Sequence, residues 1–472
     1  MDEAAYRELR DILGPIAVSR SEGELDAHAR DMWPRSTLWV RQGRLFVTPS
    51  AVCWPKSTQE IITVVHWANR RRIPLVPFGG GAGVCGGCLA VANCLVVDLK
   101  RMDAILGLDE VSRTVTVQPG IVGQDLEDKL NVRGFTLGHF PTSIARSTLG
   151  GLLATRSAGQ MSSRYGKSED MVLGLEAVLA DARVLRARSQ PGSAAGPAVH
   201  RLLLGSEGTL GFITEATLRL HPLPEFRGFR GILFSDISAG LETIRALLGK
   251  GLRPCVARLY DEPATRIAFS ELRECAGGCL LILGFEGDRE IAQFHSRVAL
   301  RTCLERGGRD CGEQAGRYWW DHRYDISYWP SQDVRPDGAL GEPSVVGTME
   351  VAGHWSRVLA LYDGIRDALT PHCAGVVAHI SHVSLQGACV CFTFAAQGSD
   401  EREVEQRYAK AWAAGMEACL AADGTITHHD GVGLLRASWL AREMGTTAFN
   451  FLGEIKALVD PAGIMNPGKL GL

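Results

Sequence analysis

The 472-residue sequence lacks any apolar run of about 18 residues, the length that a membrane-spanning helix needs. It also lacks an excess of positive charge, since 50 lysines and arginines face 53 aspartates and glutamates. A nucleic-acid-binding protein normally carries a basic face, so this class is disfavoured. The start, Met1-Asp2-Glu3, is acidic where a secretory signal would be basic. Composition therefore predicts a cytoplasmic protein without a transmembrane segment.

Cysteines are present, thirteen in all, but they lack the pattern of a disulfide framework or a metal site. They are odd in number, scattered and mostly embedded in apolar runs, as reduced thiols are. Cys85 and Cys88 form a Cys-x-x-Cys pair, yet no second pair lies at zinc-finger spacing. The pair His379 and His382 is of a kind that more often lines a cavity or caps a strand. We therefore expect no metal.

Glycine is abundant, with 54 residues, and its clustering is the most informative feature of the chain. The run Pro77–Gly87 follows an apolar stretch, 73–76, that is typical of a buried strand. Glycines let the backbone approach a ligand and permit positive φ, so successive N–H groups can turn toward one anion. No helical pattern opens directly after the loop and no Lys-Ser or Lys-Thr follows, which disfavours Rossmann and Walker loops. The run predicts a site for a diphosphate-bearing cofactor.

Three further segments strengthen this prediction. They are Pro141–Gly159, Gly205–Thr214 and the terminal Asn466-Pro467-Gly468-Lys469. One glycine segment alone is weak evidence, because ordinary turns use glycine. Four such segments in this order are strong evidence.

Hydrophobic periodicity predicts a mixed α+β protein. Ser57 and Glu60 fit a capping box ahead of a helix, and 94–99 and 111–117 are predicted strands. Pro222-Leu223-Pro224 marks a boundary. Beyond it, apolar strands and amphipathic helices indicate an antiparallel sheet with helices on one side. The predicted strands are 231–234, 280–285, 346–351 and 388–394, and the predicted helices are 238–249, 289–306, 354–370 and 401–421.

The chain resembles the vanillyl-alcohol-oxidase/PCMH-type FAD-binding family, and within it the alkylglycerone-phosphate synthase branch. The resemblance rests on the glycine segments and on Arg258–Asp261, Phe285–Glu290 and Thr427–Gly433, and it covers about residues 45 to 470. It implies an FAD-binding domain of two α+β subdomains and a cap domain whose antiparallel sheet is flanked by helices. The expected divisions are an N-terminal helical lead-in (1–45), the FAD-binding domain (46–224), the cap (225–430) and a C-terminal segment that returns to the FAD domain (431–472).

The resemblance implies FAD as the cofactor. Relatives with a covalent flavin carry a histidine on or close to the first loop, where this chain has none and places Ala82, so we expect non-covalent FAD. The implied diphosphate contacts are Gly79, Gly80, Gly81, Ala82 and Gly83. The implied flavin lining is Pro141, Thr142, Ser143, Ser147, Gly150, Thr155 and Ser157. Glu207 and Ile213 are expected near the adenosine ribose, and Pro77, Gly86 and Asn466 complete the expected cofactor site.

The segment His428-His429-Asp430 is the strongest catalytic candidate. Two imidazoles beside a carboxylate suit general acid–base chemistry, because the reference pKa of histidine, about 6.5, lies near neutrality. The adjacent Gly431 lets the backbone approach a cofactor closely. A polar surface turn is the alternative. The synthase branch usually shows a third histidine where Asp430 stands, so one proton-transfer or substrate contact is altered.

Three further residues are catalytic candidates by resemblance. The synthases carry a tyrosine, proposed to transfer a proton, on a cap strand where our alignment places Cys391. A catalytic thiol and a buried core thiol are both open readings of this cysteine. Arg258 and Arg335 match arginines on the substrate side of the flavin, and a guanidinium suits phosphate or carboxylate. A solvated surface arginine is the alternative for Arg335.

The sequence thus predicts an FAD-dependent oxidoreductase that acts on a small, polar, anionic substrate. His428 or His429 takes a proton from the substrate while hydride passes to the flavin, which carries the redox chemistry. One alternative is a synthase-like enzyme that forms an ether bond without net redox. The second alternative is a flavin-binding protein without catalysis. The partner expected is a small-molecule substrate, and a homodimer is left open.

Overall fold

A computed structural model describes residues 1–44, 47–325 and 343–472 of the chain. Arg335 lies outside these ranges, so its role stays a prediction. Within the described residues, the strands form three large sheets and one two-stranded sheet. None of the described helices is both long and apolar enough to cross a membrane.

The first sheet is mostly parallel and carries the first glycine-rich loop. Its elements are α1 (Glu3–Leu13), β1 (Val18–Ser19), α2 (Glu22–Ala27), α3 (Pro34–Arg41), β2 (Ala51–Cys53), α4 (Thr58–Arg71), β3 (Leu75–Phe78) and β4 (Leu95–Asp98). The strand order is β1-β2-β4-β3. Helices cover the apolar strands, and Leu9 of α1 and Trp67 of α4 are fully buried in this core. The predicted cap forms, since the Ser57 hydroxyl accepts the N–H of Glu60 at 3.2 Å.

The second sheet is antiparallel and carries the other two glycine-rich segments. Its elements are β5 (Ile105–Asp109), β6 (Thr114–Val117), α5 (Gly123–Asn131), β7 (Phe135–Thr136), α6 (Leu149–Ala154), α7 (Ser162–Tyr165), α8 (Ser168–Met171), β8 (Val172–Leu179), β9 (Val184–Ala187), β10 (Gly211–Arg219) and β11 (His221–Pro222). The strand order is β5-β6-β10-β8-β9, and β7 pairs with β11. The strand predicted over 111–117 begins only at Thr114, because Arg113 turns the chain with φ +53°.

The third sheet is the cap, with seven antiparallel strands. Its elements are β12 (Phe226–Phe234), α9 (Ile237–Gly249), β13 (Val256–Tyr260), α10 (Glu262–Ala268), β14 (Cys279–Gly287), α11 (Arg289–Glu305), β15 (Arg309–Cys311), α12 (Gly312–His322), β16 (Ser344–His354), α13 (Trp355–Leu369), β17 (Gly375–Ser381), β18 (Gly387–Gln397) and α14 (Glu401–Ala421). The strand order is β15-β12-β14-β13-β17-β18-β16. A large apolar core joins the sheet to α9, α11, α13 and α14.

The C-terminal residues run back to the first sheet. Two helices, α15 (Ala437–Met444) and α16 (Thr446–Val459), precede this return. The N–H of Leu75 in β3 donates to the carbonyl of Ile464 at 2.7 Å, and the N–H of Asn466 donates to the carbonyl of Leu75 at 2.8 Å. The end of the chain is thereby fixed beside the first glycine-rich loop.

Candidate active site

A cleft opens where the three glycine-rich segments meet. It borders the loop after β3, the turns before and after α6, and the loop before β10. His429 and Asp430 lie on its wall as well. Of the residues predicted to bind FAD, those that line the cleft are Pro77, Gly79, Gly80, Gly81, Ala82, Gly83, Thr142, Ser143, Ser147, Gly150, Thr155, Ser157, Glu207 and Ile213. Gly86, Pro141 and Asn466 lie outside this lining.

The glycines of the first loop are required by packing as much as by conformation. A Cβ on Gly79 would lie 2.1 Å from the Thr148 hydroxyl, and one on Gly80 would lie 1.9 Å from the Arg146 carbonyl oxygen. Of the three consecutive glycines, Gly81 alone has positive φ, at +60°. The second glycine-rich segment therefore packs directly against the first, and together they form a narrow backbone cradle.

Glu207 and Asn466 join the cleft to the C-terminal segment. Glu207 is a buried non-glycine residue with φ +48°, and its carboxylate accepts the N–H groups of Val432 at 2.6 Å and Gly433 at 2.8 Å. Burial raises the pKa of Glu207 to about 7. The Asn466 amide donates to the carbonyls of Gly87 at 3.0 Å and Glu207 at 2.7 Å. Asn466 therefore holds the loops in place from behind the cleft wall.

Asp31 is a cleft residue that the sequence reasoning missed. It lies between α2 and α3 and is 5 % exposed. One carboxylate oxygen accepts the N–H of Trp33 at 3.1 Å, whereas Oδ2 has no hydrogen-bond partner among the described residues and lies 3.5 Å from where a Cβ on Gly83 would stand. Burial raises the pKa of Asp31 to about 7. The lead-in thus brings an unpaired acceptor to the cofactor loop.

The cleft fits the FAD that the resemblance implies. A glycine cradle that excludes Cβ atoms, hydroxyls from Thr142, Ser143 and Ser147, and the unpaired oxygen of Asp31 together offer donors and acceptors to a nucleotide cofactor. Fold and cleft therefore define a protein that binds a nucleotide cofactor between two sheets with their associated helices. A third sheet forms the cap.

The catalytic candidates are held by one buried carboxylate, Glu350 of β16. This residue is 1 % exposed and accepts the Thr427 hydroxyl at 2.6 Å, the Asp430 N–H at 3.1 Å and the N–H of His428. Arg436, fully buried, lies 3.2 Å from the same carboxylate. Burial alone would raise the pKa of Glu350, but the Arg436 charge and these hydrogen bonds hold it below its usual range. An ionised Glu350 therefore fixes the 427–430 turn.

Within that turn, the two imidazoles contact each other. Nδ1 of His428 lies 3.1 Å from Nδ1 of His429, so one ring donates and the other accepts. Burial lowers the pKa of His428 to about 3, which keeps it neutral at pH 7. Burial and the nearby Glu350 raise the pKa of Asp430. The turn is therefore an ordered, partly buried polar cluster, and its catalytic role stays a prediction.

One face of the cap sheet lies beside the 427–430 turn, and its residues Arg258 and Cys391 are not part of the cleft lining. Strand register places Tyr260 beside His379, His379 beside Cys391, and Cys391 beside Glu350. Arg258, two residues before Tyr260, shares this face, and its Nη2 lies 3.4 Å from Nδ1 of His379. Burial and Arg258 lower the pKa of His379 far below its usual range, so that this imidazole is neutral.

Arg258 has unused hydrogen-bonding capacity. Its Nε has no hydrogen-bond partner, and the guanidinium forms no ion pair with any carboxylate in the described part of the chain. A half-buried guanidinium in this state is ready to receive an anionic group. Cys391, by contrast, has its pKa raised to about 12, chiefly by burial, so it remains a neutral thiol.

The donor atoms of Cys389, His428 and His429 lie within 4.8 Å of one another. Two of these atoms are already joined by the contact between the imidazoles. The third belongs to a fully buried thiol whose pKa burial raises far above its usual range. A metal would need this thiol in its ionised form. The absence of a metal therefore stays our prediction.

Comparison with known proteins assigns the family. An FAD binding domain matches residues 49–188, and the C-terminal domain of FAD linked oxidases matches residues 223–470. An uncharacterized FAD-linked oxidoreductase, YgcU of Escherichia coli (strain K12), is 32% identical over 99% of this chain and 98% of its own. The alkyldihydroxyacetonephosphate synthase of Dictyostelium discoideum is 29% identical over 92% of this chain and 75% of its own.

A solved structure gives the same result. An alkyldihydroxyacetonephosphate synthase superposes with a TM-score of 0.82 at 26% identity, over 99% of this chain and 85% of that chain. The chain belongs to the FAD-linked oxidase family, and its cofactor is FAD. The resemblance and the fold class predicted from sequence are thereby confirmed.

Proposed function

We propose that the protein is an FAD-dependent oxidoreductase that oxidises a small anionic alcohol, such as a hydroxy acid or a hydroxyalkyl phosphate. The observation that carries this proposal is that His429 and Asp430 line the same cleft as the cofactor loops. A base on the cleft wall can reach a substrate that lies against the cofactor. When bound, FAD supplies the acceptor for a hydride.

The residues of the chain have separate roles in this proposal. His429 takes the proton of the substrate hydroxyl, and Glu350 fixes the turn that carries His429. Arg258 holds the anionic group through its guanidinium, whose Nε has no protein partner. Cys391 lies between His379 and Glu350 as a neutral thiol and shapes the cap side of the site without exchanging a proton.

The relatives include both reaction types. The chain and the uncharacterized FAD-linked oxidoreductase of E. coli match over almost their full lengths, whereas the match with the Dictyostelium synthase leaves a quarter of that protein uncovered. Two positions also depart from the synthase pattern, Asp430 in place of a third histidine and Cys391 in place of the tyrosine.

A second candidate is ether-bond formation without net redox. The structural likeness to an alkyldihydroxyacetonephosphate synthase favours it. Under this candidate Arg258 binds the phosphate of the substrate, and His429 still moves a proton. The two candidates differ in whether electrons leave the substrate.

Turnover with an artificial electron acceptor tests the proposal. A panel of hydroxy acids, amines and hydroxyalkyl phosphates is compared with acyl-dihydroxyacetone phosphate plus a fatty alcohol. We expect an anionic alcohol to reduce the dye. We also expect Arg258→Gln to raise KM for that substrate about tenfold or more, because a charge-assisted hydrogen bond is lost. Ether product without dye reduction would support the synthase, and no response to either set would leave a flavin-binding protein without catalysis.

The setting of the enzyme is also a proposal. All thirteen cysteines are free thiols. Free thiols suit a reducing compartment, so we propose a cytoplasmic enzyme. Its partner is the small-molecule substrate, and FAD is held without a covalent bond. Acid precipitation releases non-covalent FAD into the supernatant and so checks that the cofactor is not covalently bound. Light scattering measures whether the protein is a homodimer.

A further inference from the structure

A second cavity lies on the far side of the histidine pair. Its volume is about 890 Å³, and His428, His382 and Ser162 are among its lining residues. Leu385 at its rim is 68% exposed, so water reaches it. The second cavity and the FAD cleft have no lining residue in common. The neighbouring residues His428 and His429 therefore face two different compartments.

These two imidazoles bridge the wall between the compartments. Nδ1 of His429 is 3.1 Å from Nδ1 of His428, which is hydrogen-bonding distance. A neutral imidazole has one N–H and one lone pair on opposite sides of the ring. Burial keeps His428 neutral, so its Nδ1 can accept a hydrogen bond from Nδ1 of His429 while Nε2 carries the proton of the ring.

The position of His428 is fixed on several sides. Lys167 donates to its carbonyl at 2.6 Å, and Glu350 accepts its N–H. His382 stacks on the His428 ring with 5.3 Å between centroids, and Nδ1 of His382 contacts the Ser162 hydroxyl at 2.7 Å. His382 holds this place with a backbone φ of +51°, a conformation that is costly for a non-glycine residue. The bridge is therefore a rigid part of the fold.

We propose that His428 passes the substrate proton out of the FAD cleft and into water of the second cavity. This proposal rests on the proposed oxidation with His429 as the base. The substrate O–H bond breaks, and its proton joins Nε2 of His429. As the Nδ1 proton of His429 moves to Nδ1 of His428, the Nε2 proton of His428 passes to water, so His428 never holds two protons. Both rings then stand neutral in the opposite tautomer. After the product leaves, Nε2 of His429 gives its proton to water in the emptied cleft while one proton from the second cavity returns along the two rings, which restores the starting tautomers.

The relay accounts for the placement of both histidines. Two electrons leave the substrate as the hydride of the proposed oxidation, and one proton leaves by way of His428. Glu350 lies 3.8 Å from Nδ1 of His429 and Asp430 lies 3.8 Å from Nε2, so carboxylates face the ring while the proton passes through it. The second imidazole gives this proton a path to water while the substrate fills the cleft.

The test compares His428→Ala with His428→Gln in the FAD-loaded protein. We expect both to retain FAD and to slow anaerobic flavin reduction about 100-fold, the usual size of a general acid–base contribution. Imidazole added to the solution should restore much of the rate in His428→Ala, because it can enter the second cavity. It should not restore His428→Gln, whose amide fills the space and does not pass a proton. Leu385→Ala at the cavity rim is the control and should keep the wild-type rate.

Two readouts do not depend on turnover. Nitrogen-15 NMR of histidine-labelled protein should show His428 accepting at Nδ1, a signal that His429→Ala removes. Metal analysis should find no stoichiometric ion. If His429→Ala abolishes reduction while His428→Ala keeps the wild-type rate, the relay is overturned and the proposed function survives. If His429→Ala reduces flavin at the wild-type rate, His429 is not the base and the proposed function fails. A metal bound to both histidines would overturn the relay directly.

Discussion

Cys391 is the residue at which this chain differs most clearly from the synthase pattern, which has a tyrosine there. Its pKa is raised to about 12, chiefly by burial and then by the charges of Asp430 and Glu350. A thiol with such a pKa exchanges no proton near neutrality. We predict that Cys391→Ser leaves the shape of the pH–rate profile unchanged between pH 6 and about 9. Cys373→Ser, at a second thiol with a pKa of about 12, is the matched control. Loss of one limb of the profile in Cys391→Ser alone would show that the thiol takes part in proton transfer.

Asp31 makes stability depend on pH in a defined direction. Its pKa in the folded protein is about 7, against an ordinary value of 3.8, because the carboxylate is buried. The folded state therefore holds a proton that the unfolded state releases, and the stabilisation present below about pH 4 is lost as pH rises through 7. Asp31→Asn cannot titrate, so its Tm relative to the wild type should rise between pH 5 and about 8. Differential scanning calorimetry of the FAD-free proteins measures this, and a pH-independent difference would contradict it.

At the scale of elements, Gly80 in the first glycine-rich loop is predicted to tolerate no side chain. A Cβ on Gly80 would lie 1.9 Å from a backbone oxygen of the neighbouring segment. We expect Gly80→Ala to destabilise the protein by about 1–3 kcal/mol and to weaken FAD binding, since the cradle must open. Gly364→Ala in α13 is the matched control, because nothing lies within 4 Å of its Cβ and alanine favours a helix. Thermal unfolding and FAD titration of both variants decide the point, and equal behaviour would refute the packing argument.

The elements that periodicity predicted were the long ones. The four predicted cap strands and four predicted cap helices correspond to β12, β14, β16 and β18 and to α9, α11, α13 and α14. Three shorter strands between them, β13, β15 and β17, were missed. Two of these strands place a polar residue beside the 427–430 turn, Arg258 in β13 and His379 in β17. A polar residue of this kind interrupts the apolar run by which a buried strand is recognised. These two strands were therefore not predicted because they carry residues of the site.

The candidate site was predictable where a local motif carries it. The glycine segments and the 428–430 turn have their own sequence signals, and the structure brings them together at one cleft. Glu350 and Asp31 have no such signal, because each is a single acid inside an otherwise ordinary segment. Their importance comes from long-range contacts, Glu350 with a turn nearly eighty residues away and Asp31 with the first loop. Only the fold reveals such partners.

At the scale of the whole molecule, the N-terminal lead-in connects the two halves of the protein. Glu405 of α14 in the cap accepts from Arg35, Trp39 and Arg44 at 2.9, 2.9 and 3.0 Å. The same lead-in places Asp31 at the cofactor loop. No local pattern in the sequence indicates that this lead-in touches the cap, because its partner lies more than 360 residues away.

Loss of Glu405 should therefore loosen the lead-in that places Asp31 at the cofactor loop. We predict that Glu405→Ala destabilises the protein by about 2 kcal/mol, since several hydrogen bonds to a charged acceptor are removed, and speeds hydrogen exchange across α3. Glu403→Ala is the control, because the partners of Glu403 all lie nearby on its own segment. Unchanged exchange in α3 of Glu405→Ala would show that the lead-in is held by other contacts.

In the proposed oxidation, two electrons leave an anionic alcohol for FAD at a cleft where His429 is the base. Anaerobic mixing of the FAD-loaded protein with each member of the substrate panel measures this transfer. We expect one anionic alcohol to bleach the visible flavin band, more slowly when its carbinol hydrogen is replaced by deuterium. We expect His429→Ala to keep FAD but to lose this response. Formation of an ether product from acyl-dihydroxyacetone phosphate and a fatty alcohol, with no bleaching by any alcohol, would contradict the proposed oxidation.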